Sequence, residues 1–548
     1  MADKFQESSG TSLSENSPFE QLTGAEREPI TSALKRGASR RQVMSLLMAS
    51  GATVAMAGSL VGGAERVLAM TPKKGGSLRA AVSLHGPKDT LDPISSEGSI
   101  DYMRSRAHYN NLVQLNDDMS PRAELAEEFE ANKDASEWTF VLRKGVKWHD
   151  GSPFTADDVL YSLKRHLGKD TKSVVKALVS NVKEVKKVGP LEVKIIMETP
   201  NADLSRILGT FHFRMVKDGE SNFQNPQGTG PYRLQEFKPG VRSVHVRNED
   251  YWRETANIEK LELFAITDAV ARVNALKAGD VQLINNLDPK AIKQLDGTGN
   301  SVWSVPSGAY TGIVMMTDKA PGNNPDFREA IKYLQRRDRF VKTILGGHGT
   351  AGNDHPINAA YGADHCETLP MRPYDPDKAK FHLKKSGVTS VTMEVAEVAH
   401  GITDICLFLQ REAAKIGLNI NVKKVPNDGY WGAIWQKTPM HTTAWNMRPT
   451  ANTMIGIAFA PDAPWNDSYW KDERLGKLLV ESRSVTDPAK RKEMYCEMQS
   501  IISNNSGMCI PVHTNYVDGV SDKVKGLGKL PLEAFGGMEF PEFAWLDS

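Results

Sequence analysis

The segment from Thr442 to Ala460 contains no acidic residue and one arginine, Arg448. A guanidinium is a planar fork that matches a carboxylate or phosphate through two parallel hydrogen bonds. Arg448 is therefore a candidate for binding an anionic group of a ligand, or for pairing with a protein carboxylate that holds its own loop. Patterns that would do covalent or metal chemistry are missing. There is no G-x-S-x-G and no H-E-x-x-H. His348 and His355 share one loop without metal-ligand spacing, and the 13 histidines are otherwise scattered. Asp117-Asp118 and Asp157-Asp158 are explained by a turn and a helix start. Gly228-Thr229-Gly230-Pro231-Tyr232 is Gly-rich but lacks the Lys-Ser/Thr that a phosphate loop needs, so it reads as a shaped crossing turn. No catalytic residue, metal site or cofactor is expected.

The bulk composition fits this. With 40% hydrophobic and 25% charged residues, a chain of 548 residues can bury a large core and is expected to form more than one domain. The net charge of +1 gives no basic excess for nucleic acid. The 4 cysteines, Cys366, Cys406, Cys496 and Cys509, form no CxxC pair. Cys406 lies in an apolar helical pattern and reads as a buried thiol. Cys496 and Cys509 are candidates to pair across a helix-to-strand connection, which the sequence leaves open.

The N-terminus reads as an address. Residues 1–38 are polar and aperiodic, the composition of a disordered extension. Ser39-Arg40-Arg41-Gln42-Val43-Met44 precedes an uncharged stretch, 42–64, rich in small residues. This resembles a twin-arginine export signal, with small residues near Val67-Leu68-Ala69 for cleavage. A single membrane anchor is the alternative, disfavoured because Ala, Gly and Ser make a weak spanning helix.

Several elements must position any site. In Glu137–Leu167, Trp138, Phe140 and Leu142 alternate with polar or smaller residues, which predicts a half-buried strand. Lys144-Gly145 predicts a hairpin turn into a second strand at Val146–Trp148, and Asp150-Gly151 a further turn. Thr155 with Asp158 forms a capping box, and Phe154 with Val159 a hydrophobic staple, so a helix is expected to follow. A first strand is expected at 75–82, ending in the turn Leu91-Asp92-Pro93, and a helix from Ile100 to Leu112. Two β-α-β units are expected, one over 259–287 and one running from VTMEVAEV through a helix at Thr403–Ile416 to LNINVKKV. Their wide separation suggests two α/β lobes rather than one sheet. Phe327–Leu345 predicts one long amphipathic helix closed by Gly346-Gly347.

The stretch WTFVLRKGVKWHDGSPFTADDV resembles the signature of the family 5 solute-binding proteins of ABC importers. Further blocks follow in the family's order: the LDP turn, GTGPY, RNEDYW, the helix 327–345, the YDPDKAK segment and IPVH. The resemblance spans residues 75–548. It implies an α/β, periplasmic-binding-protein-like type II bilobal fold of the large three-domain kind (cluster C), with hinge strands between lobes. Residues 71–110, 228–310 and 508–548 would form a discontinuous lobe I. Residues 111–227 would be a small inserted domain II, and 311–507 lobe II.

The implied function is periplasmic capture of a peptide or peptide-like solute for a permease. Partners would be that ligand, ABC permease and ATPase subunits, and the twin-arginine export machinery, with the protein itself a monomer. Peptide receptors of the family typically place an aspartate in the loop that holds Arg448 here, and pair it with the peptide ammonium. The site candidates are Arg448 with Trp445, Asn446, Met447 and Thr450, the loop residues Glu97 and Gly98, and Tyr310. Glu97 is the counterpart for either a ligand ammonium or Arg448. Trp445 and Tyr310 supply apolar walls, or core. A periplasmic hydrolase on the same scaffold and a membrane-anchored, chaperone-like interaction protein are the readings from other classes.

Overall fold

A computed structural model describes residues 72–547 except 84, 85 and 255, with a few isolated positions between 22 and 60. The chain divides into two compact units, Met1–Lys73 and Lys74–Ser548. In the first, Ile30, Val43 and Leu60 pack together. The extension 1–38 and the signal segment 39–70 otherwise lie outside the described residues.

The second unit is built on one 11-stranded sheet. Two long strands run through its middle, Asn300–Met315 and Met508–Ser521, and pair antiparallel from Asn300↔Ser521 to Val314↔Met508. On one side follow Leu283–Ile284, Ser77–Val82, Lys260–Ala265, Arg242–Arg247 and Tyr232–Lys238. On the other side follow Met440–Trp445, Ser390–Val395 and Asn419–Lys424. Both β-α-β units form. Lys260–Ala265 and Leu283–Ile284 each lie parallel to Ser77–Val82, and Ser390–Val395 lies parallel to Asn419–Lys424. The expectation that they belong to separate sheets is corrected. The two long strands join the halves by pairing with each other, Asn300–Met315 carrying Met440–Trp445 on its other edge and Met508–Ser521 carrying Leu283–Ile284 on its own. Their pairing slips between Val305 and Ala309, where Pro306 has no N–H to donate.

A separate four-stranded sheet, made by Ala126–Ala131, Glu137–Leu142, Val182–Gly189 and Glu192–Met197, carries the best-recognised stretch. Trp138, Phe140 and Leu142 enter the core that gathers within residues 112–215. The Thr155 N–H donates to Asp158 Oδ2 at 2.7 Å, opening the helix Ala156–Lys164, with Phe154 and Val159 buried beside it. Val146–Trp148 is not a hairpin strand. Its backbone folds onto its own next turn, with Trp148 donating to the Ser152 carbonyl and Phe154 to that of Val146. Glu192–Met197 takes the strand edge it would have used.

Residues 327–345 also differ from expectation. They form two helices, Pro325–Tyr333 and Arg337–Thr343, the second ending before Gly346 and Gly347, both at positive φ. The break turns Arg337 back onto the Lys332 carbonyl (3.2 Å) and the buried Asp354 carboxylate (2.7 Å). Pairing a buried charge thus overrides the helical periodicity. The predicted helix from Ile100 ends early, at His108. There the Gly228–Tyr232 segment crosses it, and Gly230 N donates to the His108 carbonyl at 2.9 Å. A Cβ on Gly228 or Gly230 would overlap that backbone, which is why the glycines are needed.

Cys496 pairs with Cys366, not with Cys509. Cys509 sits on a central strand opposite Ile313 and is buried, as is Cys406. Cys496, on the helix Pro488–Asn505, meets a loop that Gln499 of the same helix holds by accepting from Cys366 N and donating to the Asp364 carbonyl. The bond closes a 130-residue separation. Replacing Cys366 and Cys496 by serine should lower unfolding stability by about 2–4 kcal/mol, read from denaturant midpoints.

Many histidines are buried without a counter-charge. Burial pushes His149, His212, His441 and His513 down to about 4, and His166, His245 and His355 to about 3. Folded imidazoles below the ordinary value of about 6.5 stabilise fully above that value, and the contribution is lost as pH falls toward the folded values. Burial also raises Asp101 and Asp467 to about 6 and Asp518 to about 7, which acts in the opposite sense. His108, His348 and His365 are lowered too, and Asp364, Glu533 and Glu539 raised, so ten imidazoles outweigh six carboxyls among the described residues. Urea midpoints should therefore fall from about pH 7 to about pH 5; an unchanged or rising midpoint would contradict the assignment.

Candidate functional site

The strand Met440–Trp445 pairs with the second half of Asn300–Met315, with Tyr310 opposite Trp445. That register sets where the loop Asn446–Thr450 leaves the sheet. Tyr310 and Met447 are buried in the core beneath it, with Trp445 beside them. The Trp445 indole N–H donates to Asp467 Oδ2 at 2.7 Å. Gly308 N donates to Met447 Sδ at 3.1 Å, and Arg448 N donates to the Tyr361 hydroxyl at 3.2 Å. Thr450 caps the following helix, Ala451–Ala458, accepting from Thr453 N at 3.0 Å. The loop is thus fixed at both ends, and the Arg448 side chain between them is not.

Arg448 lines a cavity of 740 Å³. Glu97 and Ser96 face the same space, with Tyr102, His212 and Asn452. Gly98 does not line it; it is the N-cap of the helix Ser99–His108. His212 holds the 96–98 loop through Nε2 on the Ser96 carbonyl at 3.0 Å, and Tyr102 stacks on Phe211 with ring centroids 4.5 Å apart. One wall residue, Asp203, belongs to a buried ionic cluster behind the cavity. Arg491 Nη2 lies 2.6 Å from Asp203, and Arg206 lies 2.9 Å from Asp364. Burial opposes ionisation of Asp203, but the Arg491 guanidinium holds its carboxyl below the usual range.

Arg448 has no such partner. Among the described residues it makes no ion pair, with Glu97 or with any other carboxylate, and its buried Nε has no hydrogen-bond acceptor. Its guanidinium lies 5.6 Å from the centre of the Trp445 ring. Its charge is still felt nearby. Burial raises the Glu533 carboxyl, Ser99 donates to it at 3.1 Å, and Arg448 acts on it only at longer range. A second cavity, of 410 Å³, adjoins: Arg448 and Trp465 line both, and Trp445 and Asn446 line the second.

The arrangement is a half-open, largely apolar space whose wall carries two arginines that form no ion pair among the described residues, Arg448 and Arg483, the latter donating from Nε to Asn452 Oδ1 at 3.1 Å. That is the geometry of a binding site, since a few placed polar groups orient a ligand while apolar walls exclude water. Residues 120–490 match the family model described as bacterial extracellular solute-binding proteins, family 5 Middle.

The chain belongs to that family.

A glutathione-binding protein, GsiB, of Salmonella choleraesuis (strain SC-B67) is 25% identical to it over 469 residues, covering 81% of this chain and 91% of that protein. Its counterpart in Escherichia coli O157:H7 is 24% identical over 471 residues, with the same coverage. Among solved structures, the substrate-binding protein CtaP of Listeria monocytogenes superposes with a TM-score of 0.78 at 19% identity, covering 87% of this chain and 100% of that one. DppA of Helicobacter pylori, in complex with the peptide STSA, gives 0.70 at 21% identity, covering 87% and 99%. These structures share the fold of this solute-binding protein.

Sequence reasoning pointed to Arg448 and Glu97, which the cavity brings to one space. It did not single out Tyr102, His212, Asn452 or Trp465. Their only sequence signal is polarity or aromaticity in segments that read as helix or loop. The solute-binding protein also relies on Gly308, where a Cβ would overlap Tyr361 and Met447, the two groups that hold the Arg448 loop. Gly308→Ala should cost about 1–3 kcal/mol of stability by denaturant unfolding, as overpacking does; a cost under about 0.5 kcal/mol would mean the loop is not held this way.

Proposed function

We propose that this protein is the periplasmic receptor of an ABC importer. It takes a peptide or peptide-like solute bearing an anionic group into the 740 Å³ cavity, with Arg448 as the anion anchor. The observation that carries this reading is the Arg448 guanidinium at the cavity wall, which makes no ion pair among the described residues and whose buried Nε has no acceptor there. A cation held partly out of water is costly unless something pairs with it. Arg483, the other arginine on this wall, spends its Nε on Asn452, whereas the buried Nε of Arg448 has no acceptor among the described residues. The glutathione-binding relatives support the substrate class, because glutathione is a peptide with carboxylates at both ends.

In this reading residues 71–110, 228–310 and 508–548 form one lobe, 111–227 an inserted domain and 311–507 the other lobe. The lobes move about the two long strands near the slip at Val305–Ala309. A ligand closes such a receptor only by binding the closed state better than the open one. Arg448 and Glu97, from opposite lobes, would both meet the solute in the closed form. Delivery to permease and ATPase subunits follows. Export by the twin-arginine route rests on Arg40-Arg41. No helix among the described residues is long and apolar enough to cross a membrane.

The test is native mass spectrometry of gently purified protein to identify a retained solute, followed by calorimetry with Arg448→Ala. Loss of a charge-assisted pair worth about 1.5–3 kcal/mol predicts a fall in affinity of roughly tenfold to a hundredfold. Affinity within about twofold of the wild type would remove Arg448 from the anchor role.

A further inference from the structure

The second cavity has its own chemistry. Its walls include four of the chain's 10 tryptophans, Trp431, Trp435, Trp445 and Trp465. Trp431 and Trp465 are 48% and 49% exposed, which is far more than core packing alone would leave for such large apolar rings. Within each neighbouring pair the rings cross. Trp431 and Trp435 meet at 77° with centroids 5.8 Å apart, and Trp445 and Trp465 at 57° and 6.1 Å. Neither neighbouring pair therefore offers the two parallel faces that would sandwich a flat ring; we call the four-tryptophan wall a box.

Behind the box lies Asp467. Both oxygens of its carboxylate are taken by this wall: the Trp435 and Thr443 donors reach Oδ1, and the Trp445 indole N–H reaches Oδ2. Asp467 is buried and, among the described residues, has no cation within ion-pair distance. An indole that donates its N–H to a carboxylate gains electron density on its ring faces, the side that attracts a cation. Trp is already the strongest aromatic partner for cations. A buried carboxylate without a counter-ion adds to the same attraction. Arg448 stands where the two cavities meet, and its own cation is the one charge on the box wall.

We propose that the tryptophan box is a subsite for an organic cation, a rounded alkylammonium head carried by the same ligand whose anionic group meets Arg448. The ligand is then a zwitterion. Its carboxylate neutralises Arg448, which removes the repulsion that would otherwise keep a second cation out of the box. The inference rests on the anion-anchor reading of Arg448 for the zwitterionic form, but the box itself does not depend on it.

The experiment uses γ-butyrobetaine, a trimethylammonium carboxylate, and 5,5-dimethylhexanoate, its uncharged-head isostere. Both keep the same carboxylate and the same shape, so their affinity ratio isolates the cation. Binding is read by calorimetry and by tryptophan fluorescence. The trimethylammonium compound should bind about tenfold more tightly or better. In Trp431→Ala and Trp465→Ala, both at half-exposed positions, the ratio should fall toward one while circular dichroism stays unchanged. Arg448→Ala should weaken both compounds together and leave the ratio standing. If Arg448→Ala changes neither affinity while the ratio persists, the anion anchor fails and the box stands. The box is overturned by a wild-type ratio near one, by an unchanged ratio in both tryptophan variants, or by the absence of saturable binding of γ-butyrobetaine at millimolar concentration.

Discussion

The pairing of Asn300–Met315 with Met508–Ser521 is the constraint on which the rest of the second unit depends. Two adjacent strands of this length give one half of the sheet and the other a common backbone ladder. The Tyr310↔Trp445 register hangs directly from it. A slip of one residue would turn every side chain of Met440–Trp445 to the opposite face. Trp445 would then leave Asp467, and the Arg448 loop would leave the cavity. The ladder shifts register at two places, between Val305 and Ala309, around Pro306, and between Thr311 and Ile313.

Charge placement separates what is structural from what is not. Arg106 is fully buried and lies against Glu124, Glu539 and Glu542 at 2.8, 2.6 and 2.5 Å. These pairs tie the helix Ser99–His108 to the chain's C-terminal segment, and removing one member of such a set leaves an uncompensated buried charge. Arg337 on Asp354 and Arg491 on Asp203 follow the same rule. Arg448 departs from it at a cavity wall. Asp467 departs from it behind the tryptophans, where neutral donors satisfy its oxygens but no cation balances its charge. Two charges without an ion-pair partner among the described residues, of opposite sign, thus lie near the two adjoining cavities.

Family membership and most local structure were legible in the chain itself. Caps, turns and alternating strands are short-range facts, decided by a residue and its near neighbours. Thr155 with Asp158 and the strand at 137–142 both fall where the sequence puts them. Two of the readings that failed did so because of a distant partner. The helix expected over 327–345 breaks for Asp354. Cys496 takes Cys366, which Gln499 presents, because Cys509 is committed to a central strand.

The candidate site divides in the same way. Sequence alone determined that the Thr442–Ala460 segment carries a lone cation, since composition along a loop needs no fold to be read. Only the tertiary structure decided that this cation has no counter-ion among the described residues and that Glu97 shares its cavity without pairing to it. The same holds for the four tryptophans, which converge on one space although they are spread from 431 to 465. Whether a charge is paired depends on which atoms lie within a few ångströms of it, and long-range strand register, not local sequence, fixes those distances.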